Sequence, residues 1–77
     1  MCKVETLMKI LKIVHNNGNG MSRENLQILC GLDDKNYFQY LDRLLELGYI
    51  REGRGSQSYR DYVVLSPEAI VLFNDSA

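Results

Sequence analysis

The 77-residue chain predicts a single α+β domain, with a three-helix core, a two- or three-stranded antiparallel hairpin region and a short C-terminal helix. Three observations lead to this prediction. Apolar residues recur at helical spacing on both sides of Gly31, and Gly48 follows the second of those helical stretches. Residues 49–65 then place β-forming side chains on either side of a Gly- and Ser-rich loop. A chain of this length has room for one small core and no large catalytic cavity.

The first helix is predicted over residues 4–14, where apolar residues recur at steps of three and four. The Asn- and Gly-rich residues 16–20 favour turns and end it. His15 stands near its C-terminus, where we expect it to complement the helix dipole rather than to catalyse a reaction.

Two further helices are predicted within residues 22–48, each with its own start and stop signal. Ser22 is a good N-cap for one helix, and Asp33 is a good N-cap for a helix over residues 34–47. Gly31 and Gly48 suit the left-handed conformation that commonly ends a helix. The two helices and the step between them, from Cys30 to Asp33, therefore predict a helix-turn-helix.

The helical spacing also predicts which side chains face inward. In the shorter helix the predicted inward residues are Leu26, Leu29 and Cys30. In the helix over residues 34–47 the predicted inward residues are Tyr37, Phe38, Leu41, Leu44 and Leu45. The predicted outward residues of that helix are Asn36, Gln39, Tyr40 and Arg43.

The residues after Gly48 predict a hairpin over residues 49–65 and a last helix over residues 67–74. The hairpin loop is residues 53–58, and the strand after it ends in Val63, Val64 and Leu65. Ser66 and Pro67 then form an N-cap followed by a proline at the first helical position.

Residues 40–50, with the sequence YLDRLLELGYI, carry a family resemblance. They resemble the winged-helix pattern in which a Leu-rich helix ends in L-x-x-x-G-[LY]-I, and residues 65–68 (LSPE) continue that pattern. The chain is thus similar to winged helix-turn-helix DNA-binding domains, in particular small archaeal-type transcriptional regulators. The resemblance implies that the helix over residues 34–47 enters a DNA groove and the hairpin lies on the phosphates. It also implies that Met21 belongs to a very short strand paired with the hairpin.

The expected DNA contacts combine base-reading and phosphate-binding groups. Amide and guanidinium side chains can pair with base edges, whereas cations and helix N-termini bind phosphates. Arg54, at the hairpin tip, is the strongest candidate for a phosphate or minor-groove contact. The candidate residues together are Ser22, Arg23, Lys35, Asn36, Gln39, Tyr40, Arg43, Arg54 and Arg60.

The charge distribution argues against a simple DNA-binding surface. The chain carries a net charge of −1. Residues 1–15 carry +2 and residues 51–65 carry +1, but residues 33–50 carry −2, and their helix begins with Asp33 and Asp34. Because DNA affinity comes mostly from neutralised phosphates, one copy should bind weakly, and a homodimer using the first helix, the last helix or the hairpin is expected.

An alternative remains open: a winged helix that binds another protein and not DNA. The acidic helix and the five tyrosines favour it, because tyrosine is enriched at interfaces. We expect no enzyme activity, cofactor or metal site, since Cys2, Cys30 and His15 form no metal-binding or catalytic pattern. We also expect a cytoplasmic protein, with both cysteines reduced and Cys30 at the core.

Overall fold

The fold is a small α+β domain, described by a computed structural model over residues 2–52 and 62–74. Four helices and three antiparallel strands follow one another within these residues. In chain order they are α1 (Val4–Asn16), β1 (Gly20–Ser22), α2 (Arg23–Cys30), α3 (Asp34–Leu47), β2 (Ile50–Glu52), β3 (Tyr62–Leu65) and α4 (Pro67–Asn74).

The sheet places the last strand in its middle, in the order β1–β3–β2. Met21 of β1 lies opposite Val63, and Ile50 of β2 lies opposite Leu65. The short strand expected around Met21 is therefore confirmed, and the sheet has three strands. Since β1 directly precedes α2 and β2 follows α3, the sheet ties both ends of this helix pair together.

The helix boundaries follow the capping signals. The Ser22 side chain accepts a hydrogen bond from the Asn25 N–H at 3.1 Å, and Asp33 accepts one from the Asn36 N–H at 2.9 Å. Gly31 and Gly48 close α2 and α3 in the left-handed region, with φ of 72° and 79°. Such φ values strain any residue with a Cβ, which explains glycine at both positions.

One hydrophobic core joins the helices to the sheet. Tyr37 is fully buried, and its hydroxyl donates a hydrogen bond of 2.6 Å to the Arg23 carbonyl. Ser66 is also buried, and its hydroxyl donates to the Gly48 carbonyl at 2.6 Å, which fixes the end of α3 against the start of α4. The other buried core residues are Ile10, Leu11, Val14, Met21, Leu26, Cys30, Tyr40, Leu41, Leu44, Ile50, Val63, Leu65 and Ala69.

The inward and outward faces differ from the prediction at four positions. Tyr40, predicted to face outward, is buried, because it lies three residues after Tyr37 and four before Leu44 and so shares their stripe. Leu29, Phe38 and Leu45, predicted to face inward, remain 55%, 44% and 38% exposed. They lie at the edges of their helical stripes, where the neighbouring elements cover them only in part.

Candidate nucleic-acid interface

The outward face of α3 is polar from Lys35 to Arg43. Lys35, Asn36, Gln39 and Arg43 are all exposed, at the three- and four-residue spacing that places side chains on one side of a helix. The opposite stripe is anchored by Tyr37 and other core side chains, so the backbone beneath this polar face is held in place. Amide and guanidinium groups presented in this way can make the paired hydrogen bonds that distinguish bases.

The two acidic residues at the start of α3 both have structural partners. Asp33 caps the helix through the Asn36 N–H, as described above. Asp34 accepts a hydrogen bond of 2.6 Å from the Gln27 side chain, and Gln27 also donates to the Leu32 carbonyl at 3.3 Å. Asp34 therefore ties α2 to α3, a role that the sequence alone does not reveal.

The two predicted residues at the start of α2 are only partly accessible. Ser22 is half-buried and uses its hydroxyl oxygen as the α2 cap. Arg23 is half-buried too, with its guanidinium 5.6 Å from the centre of the Phe38 ring. This cation–π contact accounts for the exposed position of Phe38, whose ring supports Arg23 between α2 and α3.

Tyr40 does not belong to the polar face. Its hydroxyl accepts a hydrogen bond of 3.1 Å from the Lys3 backbone N–H, immediately before α1, and only 8% of the residue is exposed. Tyr40 therefore faces the core and not outward as predicted, and the structure gives no support to a contact between Tyr40 and DNA. Its role is to hold the N-terminus of α1 against α3.

The surface of α3 is slightly acidic rather than basic, with Lys35 and Arg43 against Asp34, Asp42 and Glu46. Arg43 lies 3.8 Å from Glu46, and both side chains are more than half exposed. Asp42, also exposed, adds a further negative charge on this helix. Arg54 and Arg60, the predicted phosphate contacts of the hairpin, lie outside the described residues.

Cys30 of α2 and Tyr37 of α3 are ionisable side chains buried in the core. Burial raises the pKa of the Cys30 thiol and that of the Tyr37 hydroxyl, so both are protonated at neutral pH. Cys30 is buried and Cys2 half-buried, both as free thiols, as expected. In the part of the chain that the structure describes, no three His, Cys, Asp or Glu side chains are grouped to hold a metal ion.

Comparison of the chain with known protein families, with curated protein sequences and with solved structures found no match. Within residues 2–52 and 62–74, none of the helices combines the length and the apolar character needed to cross a membrane.

Proposed function

We propose that this protein is a winged helix-turn-helix transcriptional regulator that binds double-stranded DNA as a homodimer. In the proposal the outward face of α3 reads base edges and the connection between β2 and β3 lies on the backbone. The observation that carries the proposal is the element order, with a short β1 paired to β3 in the middle of the sheet, around a pair of helices joined by a tight turn. This is the arrangement that the resemblance implies.

The side-chain chemistry of α3 supports base reading. Asn36 and Gln39 can each donate and accept hydrogen bonds with adenine, and Arg43 can donate two to guanine. Each is exposed, and the Arg43–Glu46 ion pair is a weak surface contact that DNA can displace. The acids at the helix start do not contradict the proposal, because Asp33 and Asp34 serve the cap and the α2–α3 contact.

The charge balance requires a second copy for useful affinity. With about four phosphates neutralised per copy, log K should fall against log salt with a slope near −3.6, which describes weak binding. Two copies double the contacts and present two α3 helices to successive grooves.

Fluorescence anisotropy with a pool of random duplexes at low salt tests the proposal. We expect binding, and we expect the paired change Asn36→Ala and Gln39→Ala to weaken it about tenfold or more. The matched control is Asn74→Ala, an exposed amide on α4. Absence of binding at tens of micromolar protein would refute DNA binding.

A contact with another protein is the second candidate function, and a specific surface favours it. Ile28 and Leu29 on α2 are 69% and 55% exposed and lie beside Met21 and the half-exposed Tyr62. We name these four residues the α2 patch. In this patch Ile28, Leu29 and Tyr62 are exposed above the buried Met21, and exposed apolar surface of this kind is typical of protein contacts. The tyrosines give less support than the sequence suggests, since Tyr37 and Tyr40 are buried.

The paired change Arg54→Ala and Arg60→Ala separates the two candidates. It should abolish DNA binding if the protein is a DNA-binding regulator. A protein complex made through the α2 patch should survive it and should instead be lost with Ile28→Glu.

A further inference from the structure

An apolar groove runs between the start of α1, the end of α3 and α4. Its lining consists of apolar or aromatic residues only: Val4, Leu7, Met8, Leu11, Leu44, Leu47, Tyr49 and Leu72. We name it the α1–α4 groove. Each of the three helices contributes at least one large side chain that solvent still reaches: Val4 is 72% exposed, Leu47 is 42% exposed and Leu72 is 39% exposed.

The walls of this groove are anchored to the rest of the fold. On α4, the Phe73 ring stacks on the His15 ring of α1 at 4.5 Å and 5°, and Ala69 is fully buried. On α3, Leu44 reaches both the core and the groove. The groove is therefore formed in the single copy, and residues 2–52 and 62–74 leave its apolar surface in contact with water.

The charges that flank the groove on α1 identify the occupant. Glu5 precedes Met8 by three residues and Lys12 follows it by four, and both are exposed. Their separation of seven residues, about two helical turns, places them on the same side of α1. When two α1 helices run antiparallel about a twofold axis near Met8, each Glu5 lies across from the Lys12 of the other copy. A parallel arrangement would oppose like charges.

The α2 patch lacks this self-complementary pattern. The charged residues of α2, Arg23 and Glu24, are neighbours at its N-terminus rather than on both sides of Ile28. A twofold axis at Ile28 therefore pairs no opposite charges between the two copies of α2. The groove carries the pattern that an isologous contact requires, in which one surface is complementary to itself.

We propose that a second copy of this chain covers the α1–α4 groove, with the two α1 helices antiparallel and Met8 at the twofold axis. The inference deepens the proposed function, which requires a second copy, by naming the surface through which that copy binds. The groove takes in the C-terminal end of α3 at Leu44 and Leu47. Leu47 lies eight residues, or about 12 Å, beyond Gln39 along the helix axis, so Asn36 and Gln39 lie outside the proposed contact.

Sedimentation equilibrium without DNA, between 1 and about 100 μM protein, tests the contact. We expect a dimer, and we expect Met8→Glu to shift the protein to monomer over this range. Ile28→Glu is the matched control, because it places the same charge on an exposed apolar residue of the α2 patch. A monomeric unmodified protein at the highest concentration overturns the proposal, as does a dimer that only Ile28→Glu dissociates.

A charge exchange tests the antiparallel orientation. Glu5→Lys alone and Lys12→Glu alone should each weaken the dimer about tenfold at low salt, since each change opposes like charges twice. The double variant restores both pairs with reversed signs and should recover most of the affinity. Lys35→Glu, an equal charge change on an exposed residue at the start of α3 and outside the groove, is the control.

The double variant separates a folding defect from a defect in dimer formation. Measuring dimer formation and DNA binding separately distinguishes this inference from the proposed function. Glu5→Lys places a cation in the first turn of α1, which destabilises the helix in the single and double variants alike. Rescue by the double variant thus cannot arise from folding, and lack of rescue overturns the antiparallel arrangement. A dimer that does not bind DNA refutes DNA binding and leaves this inference standing. A monomer that binds DNA refutes this inference and the homodimer of the proposed function, and leaves DNA binding standing.

Discussion

The two ends of α3 expose opposite chemistries. Its N-terminal half presents Lys35, Asn36 and Gln39 to solvent, whereas its C-terminal end presents Leu47 and contributes Leu44 to an apolar groove. The polar half offers hydrogen bonds but little net charge, and the apolar end offers contact area but no specificity for bases. In the two proposals one helix serves two contacts, and its buried stripe holds the polar half and the apolar end in place.

The largest effect on stability is expected at Leu44, a fully buried residue of the inward stripe of α3. Leu44→Ala leaves a cavity and should lower the free energy of unfolding by about 3 kcal/mol. Because Leu44 also lines the groove, the dimer should weaken as well. Chemical denaturation measures the loss of stability. The neighbouring Leu45→Ala, at 38% exposure, should cost less than about 1 kcal/mol, and equal losses would contradict a shared stripe.

Tyr37→Phe tests the contact that holds the N-terminal half of α3 against α2. The change removes the 2.6 Å hydrogen bond to the Arg23 carbonyl and should cost about 1.5 kcal/mol near pH 7.

The same residue predicts a pH dependence of stability. Burial, aided by the nearby Cys30, raises the pKa of the Tyr37 hydroxyl above its ordinary value of 10.0. As the pH rises, Tyr37 therefore loses its hydroxyl proton first in the unfolded chain. Its contribution to the free energy of unfolding is complete below pH 10 and falls as the pH rises further. Urea unfolding at pH 7, 9 and 10.5 measures this. We expect the difference in the free energy of unfolding between the unmodified protein and Tyr37→Phe to become smaller only at pH 10.5. A difference that stays constant over the three pH values would contradict a raised pKa of Tyr37.

Two substitutions at Asp33 separate its role as the N-cap of α3 from the effect of its negative charge. Asp33→Ala removes the acceptor for the Asn36 N–H and should cost about 1 kcal/mol. Asp33→Ser retains an acceptor, so stability should change by only a few tenths of a kcal/mol, while loss of the charge should raise DNA affinity roughly threefold at low salt. Thermal unfolding and anisotropy measure the two effects. An unchanged affinity in Asp33→Ser would mean that DNA does not approach the start of α3.

The smallest effect on stability is expected at Arg43. Its ion pair with Glu46 spans 3.8 Å between exposed side chains, so Arg43→Ala should change the free energy of unfolding by less than about 0.5 kcal/mol. The same change should weaken DNA binding about tenfold if Arg43 contacts a base. Lys9→Ala, which removes an exposed cation from α1, is the control for the loss of charge alone. Equal effects of the two changes would assign Arg43 a purely electrostatic role.

Local signals explain why the order of the elements could be predicted. Ser22 and Asp33 cap α2 and α3, and Gly31 and Gly48 end them, because each acts through its own backbone and that of its nearest neighbours. The strand around Met21 needed more than a local signal, since three residues form a strand only when a partner is present. It was predicted through a resemblance, and its pairing with Val63 confirms it.

The burial of Tyr40 could have been predicted, because its spacing from Tyr37 and Leu44 belongs to the inward stripe of α3. The exposure of Leu29 and Phe38 could not, because apolar periodicity gives the direction of a stripe but not the width that neighbouring elements cover. The partner of Asp34 was equally hidden, since Gln27 lies on the preceding helix and reaches it only after the two helices pack.

The sequence by itself therefore determined where the helices and strands lie and which groups on α3 are polar, because capping and periodicity depend on residues a few positions apart. Only the tertiary structure decided which side chains remain in contact with water. It brought α1, α3 and α4 together around one apolar groove, it gave the acids at the start of α3 structural contacts, and it buried Tyr40. These outcomes depend on how distant segments pack, and that packing also determines which surfaces another molecule can reach.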